Sequence, residues 1–149
     1  MKSKKIVFVL ITLFIMFSLV ACGSSSSSNS NSNTNSSSTS ISITDAHMAT
    51  DVDSQGKPVD TVASYKTNSA KFTVSAILRN APNNTKITFI WFYKGSKITT
   101  AEVDSGNIAD RYIYGYLTNT QAWPTGEYSV EIHINNNTNP ASVVNFTVK

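Results

Sequence analysis

Carboxylates, histidines and a glycine turn are the first features of this chain that suggest chemistry. Asp51, Asp53 and Gly56 have the spacing with which two carboxylates and a glycine turn begin a calcium-binding loop. The position at which a bidentate glutamate would complete such a loop is Val62. Aspartate and glycine also form ordinary turns, so we predict a turn here and no metal site.

Both histidines of the chain lie two positions from a carboxylate. Glu131 and His133, like Asp45 and His47, would share one face of a strand, and neither pair has a third partner nearby in sequence. The sequence also contains no helix-borne histidine pair, strained serine elbow or glycine-rich phosphate loop. We therefore predict solvated surface pairs, no catalytic residues, no cofactor and a protein that is not an enzyme.

A row of tyrosines is the strongest candidate for binding. Three of them alternate along one face of a predicted strand: Tyr112, Tyr114 and Tyr116. If Ile113 and Leu117 face the core, the tyrosines form an outward row, and Gly115 leaves room for a large inward group such as Trp91. Tyrosine covers much area at low entropic cost and keeps a polar end, so the row is a candidate site for a sugar ring or a protein partner. The alternative is that the tyrosines point inward or merely pack on neighbouring side chains.

The elements that must position these residues are strands. Period-two alternation between turn signals recurs through residues 41–149, without a helix-period segment or an internal repeat. It predicts seven strands, near residues 41–48, 72–78, 87–93, 98–103, 111–117, 128–134 and 144–148. Seven short strands with tight turns predict a single all-β domain, an antiparallel β-sandwich. In the third strand Ile90 and Phe92 form a second apolar face, to be covered by the loop after the first strand, by a partner or by a second copy.

Two aromatic positions resemble those of immunoglobulin-type domains. Trp91 in the third strand resembles their core tryptophan, and Tyr128, which begins the sixth, resembles their tyrosine corner. Val130 stands where antibody domains have a cysteine, so the resemblance is to the disulfide-free immunoglobulin-like (Ig-like) modules of bacterial surface proteins. That resemblance implies an adhesive, spacing or ligand-presenting role.

The charge balance argues against nucleic acid as a partner. The chain has 149 residues, with 12 lysines and arginines against nine acidic residues. Without the lysines at positions 2, 4 and 5 the two signs are equal in number. Phosphate binding needs an excess of basic residues on one face, and residues 41–149 show no such bias.

The first residues have the pattern of a secretory leader. After the basic start, Ile6 to Val20 is apolar apart from Thr12 and Ser18, which is short for a membrane span of about 20 residues. Residues 1–21 are therefore predicted to be a removed signal peptide. The segment that ends it, Leu19-Val20-Ala21-Cys22, resembles the lipobox of bacterial lipoproteins.

The lipobox implies a membrane anchor at Cys22. In that family the cysteine thiol receives a diacylglyceryl group and becomes the first residue, so the membrane would be a partner through the lipid on Cys22. The implied location is the extracytoplasmic face of the cell membrane, or the outer membrane if the bacterium has one. Residues 23–40 contain only Gly, Ser, Asn and Thr and predict a disordered tether, which would span roughly 20 to 25 Å on average.

Together these expectations describe a lipid-anchored surface protein with one Ig-like domain. We expect the domain to bind or present an unidentified surface protein or a cell-wall polysaccharide. The alternative is an accessory or carrier lipoprotein that holds a small ligand or metal for a membrane complex. An exposed aromatic patch without an internal cavity would favour the first role, and a concave pocket lined by several polar groups would favour the second.

Overall fold

The computed structural model describes residues 40–149. The predicted signal peptide, Cys22 and residues 23–39 of the tether lie outside the described residues. Residues 40–149 form eight strands and no helix: β1 Ser42–Ala49, β2 Ser64–Tyr65, β3 Lys71–Arg79, β4 Lys86–Tyr93, β5 Ser96–Asp104, β6 Arg111–Thr118, β7 Gly126–Ile134 and β8 Ser142–Val148. Within this range no helix is long and apolar enough to cross a bilayer.

The strands form two sheets of an Ig-like β-sandwich. One sheet has the order β1-β3-β6 and the other β2-β8-β7-β4-β5. Neighbouring strands are antiparallel, except that β2 runs parallel to β8. Strands β1, β3 and β6 take the places of the A, B and E strands of an immunoglobulin domain, and β4, β7 and β8 take those of C, F and G.

The predicted count of seven strands was one too low. The missing strand, β2, lies between the first two predicted strands and pairs Ser64 with Thr147 and Tyr65 with Val148. Two residues are too few to show an alternating pattern, so only the partner strand reveals it. The hydroxyl of Tyr65 donates a hydrogen bond of 2.6 Å to the carbonyl of Ala49 and so links β2 to β1 across the core.

The core is formed by the inward residues of both sheets. Trp91 on β4 and Val130 on β7 are fully buried and lie opposite each other on these neighbouring strands. The hydroxyl of Tyr128 donates a hydrogen bond of 2.9 Å to the carbonyl of Pro124, which is the geometry of a tyrosine corner. Both Ig-like features predicted from sequence, the core tryptophan and the corner, are therefore present.

The loop between β1 and β2 folds over the outer face of the three-stranded sheet. Ser75 of β3 donates a hydrogen bond of 2.8 Å from its hydroxyl to the carbonyl of Gly56 at the loop tip. Gly56 has a φ of 82°, and a Cβ there would lie 2.8 Å from the Tyr114 ring, so only glycine fits without strain. The loop therefore lies on the sheet opposite to the one that carries Ile90 and Phe92, and it does not cover them.

Candidate functional site

The tyrosine row faces outward from β6. The exposed fractions of Tyr114 and Tyr116 are 41% and 57%, while Ile113 and Leu117 are buried. Tyr112 is half-buried beside the loop tip. The interpretation in which the tyrosines point into the core is therefore wrong, although part of the row does pack on the loop.

The neighbour of Gly115 is not the one suggested by the sequence. A Cβ at Gly115 would lie 2.9 Å from two ring carbons of Phe89, so Phe89 rather than Trp91 fills the space that glycine leaves. Phe89 alternates with Trp91 along the same inward face of β4. The sequence therefore identified the correct face and the wrong residue on it.

Strand pairing places each tyrosine beside a defined residue of β3. Tyr112 is opposite Ile77, Tyr114 is opposite Ser75, and Tyr116 is opposite Thr73. The ammonium group of Lys71 lies 5.9 Å from the centre of the Tyr116 ring, within cation–π range. The antiparallel ladder, rather than a loop, therefore sets the spacing of the tyrosines.

Asp51 and Asp53, whose spacing is that of a calcium-binding loop, both form hydrogen bonds with other residues of the protein. The carboxylate of Asp53 accepts hydrogen bonds from the amides of Gln55 and Lys57, at 2.8 and 3.0 Å, which closes the turn at the loop tip. The carboxylate of Asp51 lies 2.7 Å from the ammonium of Lys71 on β3. The hydrogen bond from Lys71, followed by that from the Val52 amide, lowers the pKa of Asp51 below its ordinary value. Asp51 thus fixes the loop against the sheet, and Asp53 fixes the turn within the loop.

An open groove of about 520 Å³ lies where this loop, β3, β6 and the loop before β6 meet. Its lining combines aromatic, aliphatic, charged and amide side chains: Ser54, Gln55, Ile77, Arg79, Ile108, Asp110, Arg111, Tyr112 and Tyr114. Ile108 is 53% exposed and adds apolar surface to the groove. The groove therefore offers both apolar contact and hydrogen-bonding groups to a ligand.

The charged side chains of the groove differ in how many hydrogen bonds and ion pairs they form within the protein. The guanidinium of Arg111 donates hydrogen bonds to the backbone carbonyls of Ser105 and Tyr112, at 3.1 and 3.3 Å. The carboxylate of Asp110 accepts a hydrogen bond of 2.8 Å from the amide of Asn80. Arg79 is exposed, and the ion pairs found within residues 40–149 all join other residues. Its guanidinium is thus the group most available to a ligand.

A second hollow of about 350 Å³ lies along the same strand. It is lined by residues of β5 and β6 together with Phe89, and it shares Arg111, Tyr112 and Tyr114 with the groove. Strands β5 and β6 are edge strands of different sheets, so this hollow opens at the side of the sandwich. The tyrosine row therefore borders two adjoining hollows.

The histidine pairs were predicted to be solvated, and this is wrong for His133. The side chain of His133 is only 8% exposed. Nδ1 lies 2.8 Å from the carbonyl oxygen of Asn137, and Nε2 lies 2.9 Å from a carboxylate oxygen of Glu131. The turn after β7 thus covers the ring. The turn follows β7 in the chain. The alternation of residues within a strand does not show that a later turn packs on one of them.

The second pair, Asp45 and His47, lies at an irregular point of β1. Nδ1 of His47 is 3.6 Å from a carboxylate oxygen of Asp45, and Asp45 has a φ of 52° at a bulge between Thr44 and His47. No group of three or more metal-binding side chains occurs within residues 40–149. Neither histidine lies in the groove.

Comparisons with known proteins were made at the level of family, sequence and structure. No protein-family model and no curated relative matches the chain. Among solved structures, the alkylpurine DNA glycosylase AlkC of Pseudomonas fluorescens, bound to DNA containing an abasic site analog, is 13% identical over 73% of this chain, with a TM-score of 0.48. The chain covers 30% of the length of that glycosylase chain.

A second solved structure is the CARDB domain of a Pyrococcus furiosus protein in complex with di-metal ions. It is 13% identical over 74% of this chain and 86% of its own, with a TM-score of 0.40. At these scores neither structure carries an argument about this chain.

Sequence reasoning missed several groove residues because they come from three separate segments. Arg79 and Asp110 are brought to the groove by β3 and by the loop before β6, and Gln55 by the loop after β1. The one available signal was Ile77, an apolar residue on the outward face of β3, next to Arg79.

Proposed function

We propose that this protein is a lipid-anchored cell-surface lipoprotein whose Ig-like domain is a non-catalytic binding module. The groove beside Tyr112 and Tyr114 is its site, and the partner is a surface protein or a cell-wall polysaccharide. The observation that carries the proposal is the outward row of tyrosines on β6, which borders a groove with an available guanidinium at Arg79.

The shape of the groove favours a surface partner over the alternative in which the protein carries a small ligand. Sites for small ligands enclose most of the ligand's surface. This groove is open, and the rings of Tyr114 and Tyr116 stand at the surface rather than inside a cavity. Such rings provide rigid contact area at low entropic cost, which suits recognition of a larger partner.

The anchor rests on sequence. The lipobox ends in Cys22, and acyl chains there would hold the protein on a membrane, because each buried methylene contributes about 0.8 kcal/mol. The tether to residue 40 would extend to about 60 Å when fully stretched. A domain with that reach contacts molecules near the membrane and within the inner part of a wall.

A capture experiment with full-length protein in detergent tests the proposed site. Cell-wall polysaccharide and detergent-solubilised surface proteins are passed separately over immobilised protein. A double variant, Tyr114→Ser with Tyr116→Ser, is compared with Val143→Ser, which alters an exposed apolar residue of β8 outside the groove. We expect the double variant to lose at least tenfold in captured material and the control to keep it. Equal capture by all three proteins would contradict the site.

A further inference from the structure

We propose that the groove binds an acidic polysaccharide, with a uronate carboxylate on Arg79 and the face of a sugar ring against Tyr114. This rests on the proposed function and names its ligand class. It is carried by the charge of the groove, by the arrangement of its aromatic and polar groups, and by the second hollow along β6.

The charge of the groove favours an anion. Two guanidinium groups, of Arg79 and Arg111, line it against the single carboxylate of Asp110. Asp110 is engaged by the Asn80 amide, and no carboxylate of residues 40–149 pairs with Arg79. A guanidinium presents parallel N–H donors that match a carboxylate in a bidentate way, so an incoming carboxylate would satisfy the group that the protein leaves available.

The uncharged groups of the groove match a sugar ring. A pyranose has an apolar C–H face and an edge of hydroxyl groups. Tyr114, 41% exposed, provides a ring for the apolar face. The side chains of Ser54 and Gln55 at the loop tip provide donors and acceptors for hydroxyl groups.

The second hollow favours a chain over a single sugar. The two hollows share Tyr112 and Tyr114, and the second extends to Tyr116 and to the edge strand β5. Tyr116 is 57% exposed. A chain of sugars could occupy both hollows by lying across the exposed edge of β6.

A matched pair of ligands tests the assignment. Full-length protein in detergent is titrated with polygalacturonate, alginate and wall polysaccharide from the source cell. Each is used with its carboxylates unesterified, which is the acid form, and as its methyl ester. The ester keeps the sugar rings and removes the charge. We expect the acid form of at least one to bind about ten to a hundred times more tightly than its ester, and binding to weaken as salt rises.

Variants locate the effect. Arg79→Gln should lower affinity for the acid form to that for the ester, and Arg79→Lys should retain part of it because the charge remains without the fork. Lys97→Gln removes the same charge from an exposed position on β5 outside both hollows and should change nothing. Tyr114→Ser should weaken both forms equally.

Equal binding of acid and ester would overturn the inference, and so would unchanged affinity in Arg79→Gln. If no polysaccharide binds but capture of a surface protein still depends on the tyrosines, the ligand class is wrong and the proposed binding function stands. If nothing binds in a tyrosine-dependent way, both fail.

Discussion

Replacement of Gly115 by alanine tests the packing beneath the tyrosine row. Gly115 is buried in β6 with its side-chain position directed at Phe89, which is 1% exposed. An added Cβ would lie 2.9 Å from two ring carbons of Phe89. Unstrained carbon atoms pack at about 3.5 to 4.0 Å, so the ring must shift by roughly 0.6 to 1 Å within a full core.

The expected cost follows from two opposing terms. Overpacking of a core by one methyl group costs about 1 to 3 kcal/mol. Replacing glycine by alanine in a strand recovers about 0.5 to 1 kcal/mol because the unfolded chain becomes less flexible. The middles of these two ranges differ by about 1 kcal/mol, so we expect Gly115→Ala to lower the free energy of unfolding by about 1 kcal/mol.

Urea unfolding followed by tryptophan fluorescence measures this loss. With a slope of about 1 to 2 kcal/mol per molar urea, the midpoint should fall by about 0.5 to 1 M. The smaller side chain in Phe89→Leu should relieve the clash, so the double variant should lose about 1 kcal/mol less than the sum of the single losses. An unchanged midpoint in Gly115→Ala, or additive losses in the double variant, would refute the assigned contact.

The remaining predictions concern the core, pH dependence and the anchor. Trp91→Ala should cost about 3 to 5 kcal/mol in the free energy of unfolding, measured by circular dichroism in urea, whereas Tyr128→Phe removes one hydrogen bond and should cost about 1 kcal/mol; equal losses would contradict the corner geometry. Burial raises the pKa of Tyr65 to about 12, so the stability contributed by its neutral hydroxyl is present below pH 10 and is lost as pH rises through about 12. Tyr65→Phe should reduce the fall in the unfolding midpoint at high pH. An unchanged fall would mean that other groups cause it. Cys22→Ser should abolish labelling by radioactive palmitate, and a labelled variant would remove the anchor.

Strand positions were largely predictable because alternation reflects burial. The third predicted strand, residues 87–93, matches β4 within one residue, and the fifth, residues 111–117, matches β6 equally well. Trp91 and Tyr128 take the positions that their Ig-like context predicted. These features depend on local pattern, and local pattern is what a single sequence contains.

The groove was less predictable because it depends on contacts between distant segments. Alternation placed Tyr112, Tyr114 and Tyr116 on one face but left open which face met the core. The seating of Gly56 on Ser75 and Tyr114 joins residues far apart in the chain. No period or spacing in the sequence predicts such a contact. The same holds for the contact between His133 and the turn that covers it.

Binding at the tyrosine row is most directly measured on the tyrosines themselves. The chain contains six tyrosines, and three of them lie away from the groove and serve as internal controls: Tyr65, Tyr93 and Tyr128. Full-length protein with ¹³C-labelled tyrosine is titrated with wall polysaccharide from the source cell, and with its solubilised surface proteins, while ring resonances are recorded. The account predicts that the resonances of Tyr112, Tyr114 and Tyr116 shift with one of these ligands while the controls stay in place. Shifts confined to the control tyrosines, or no shift with either ligand, would contradict it.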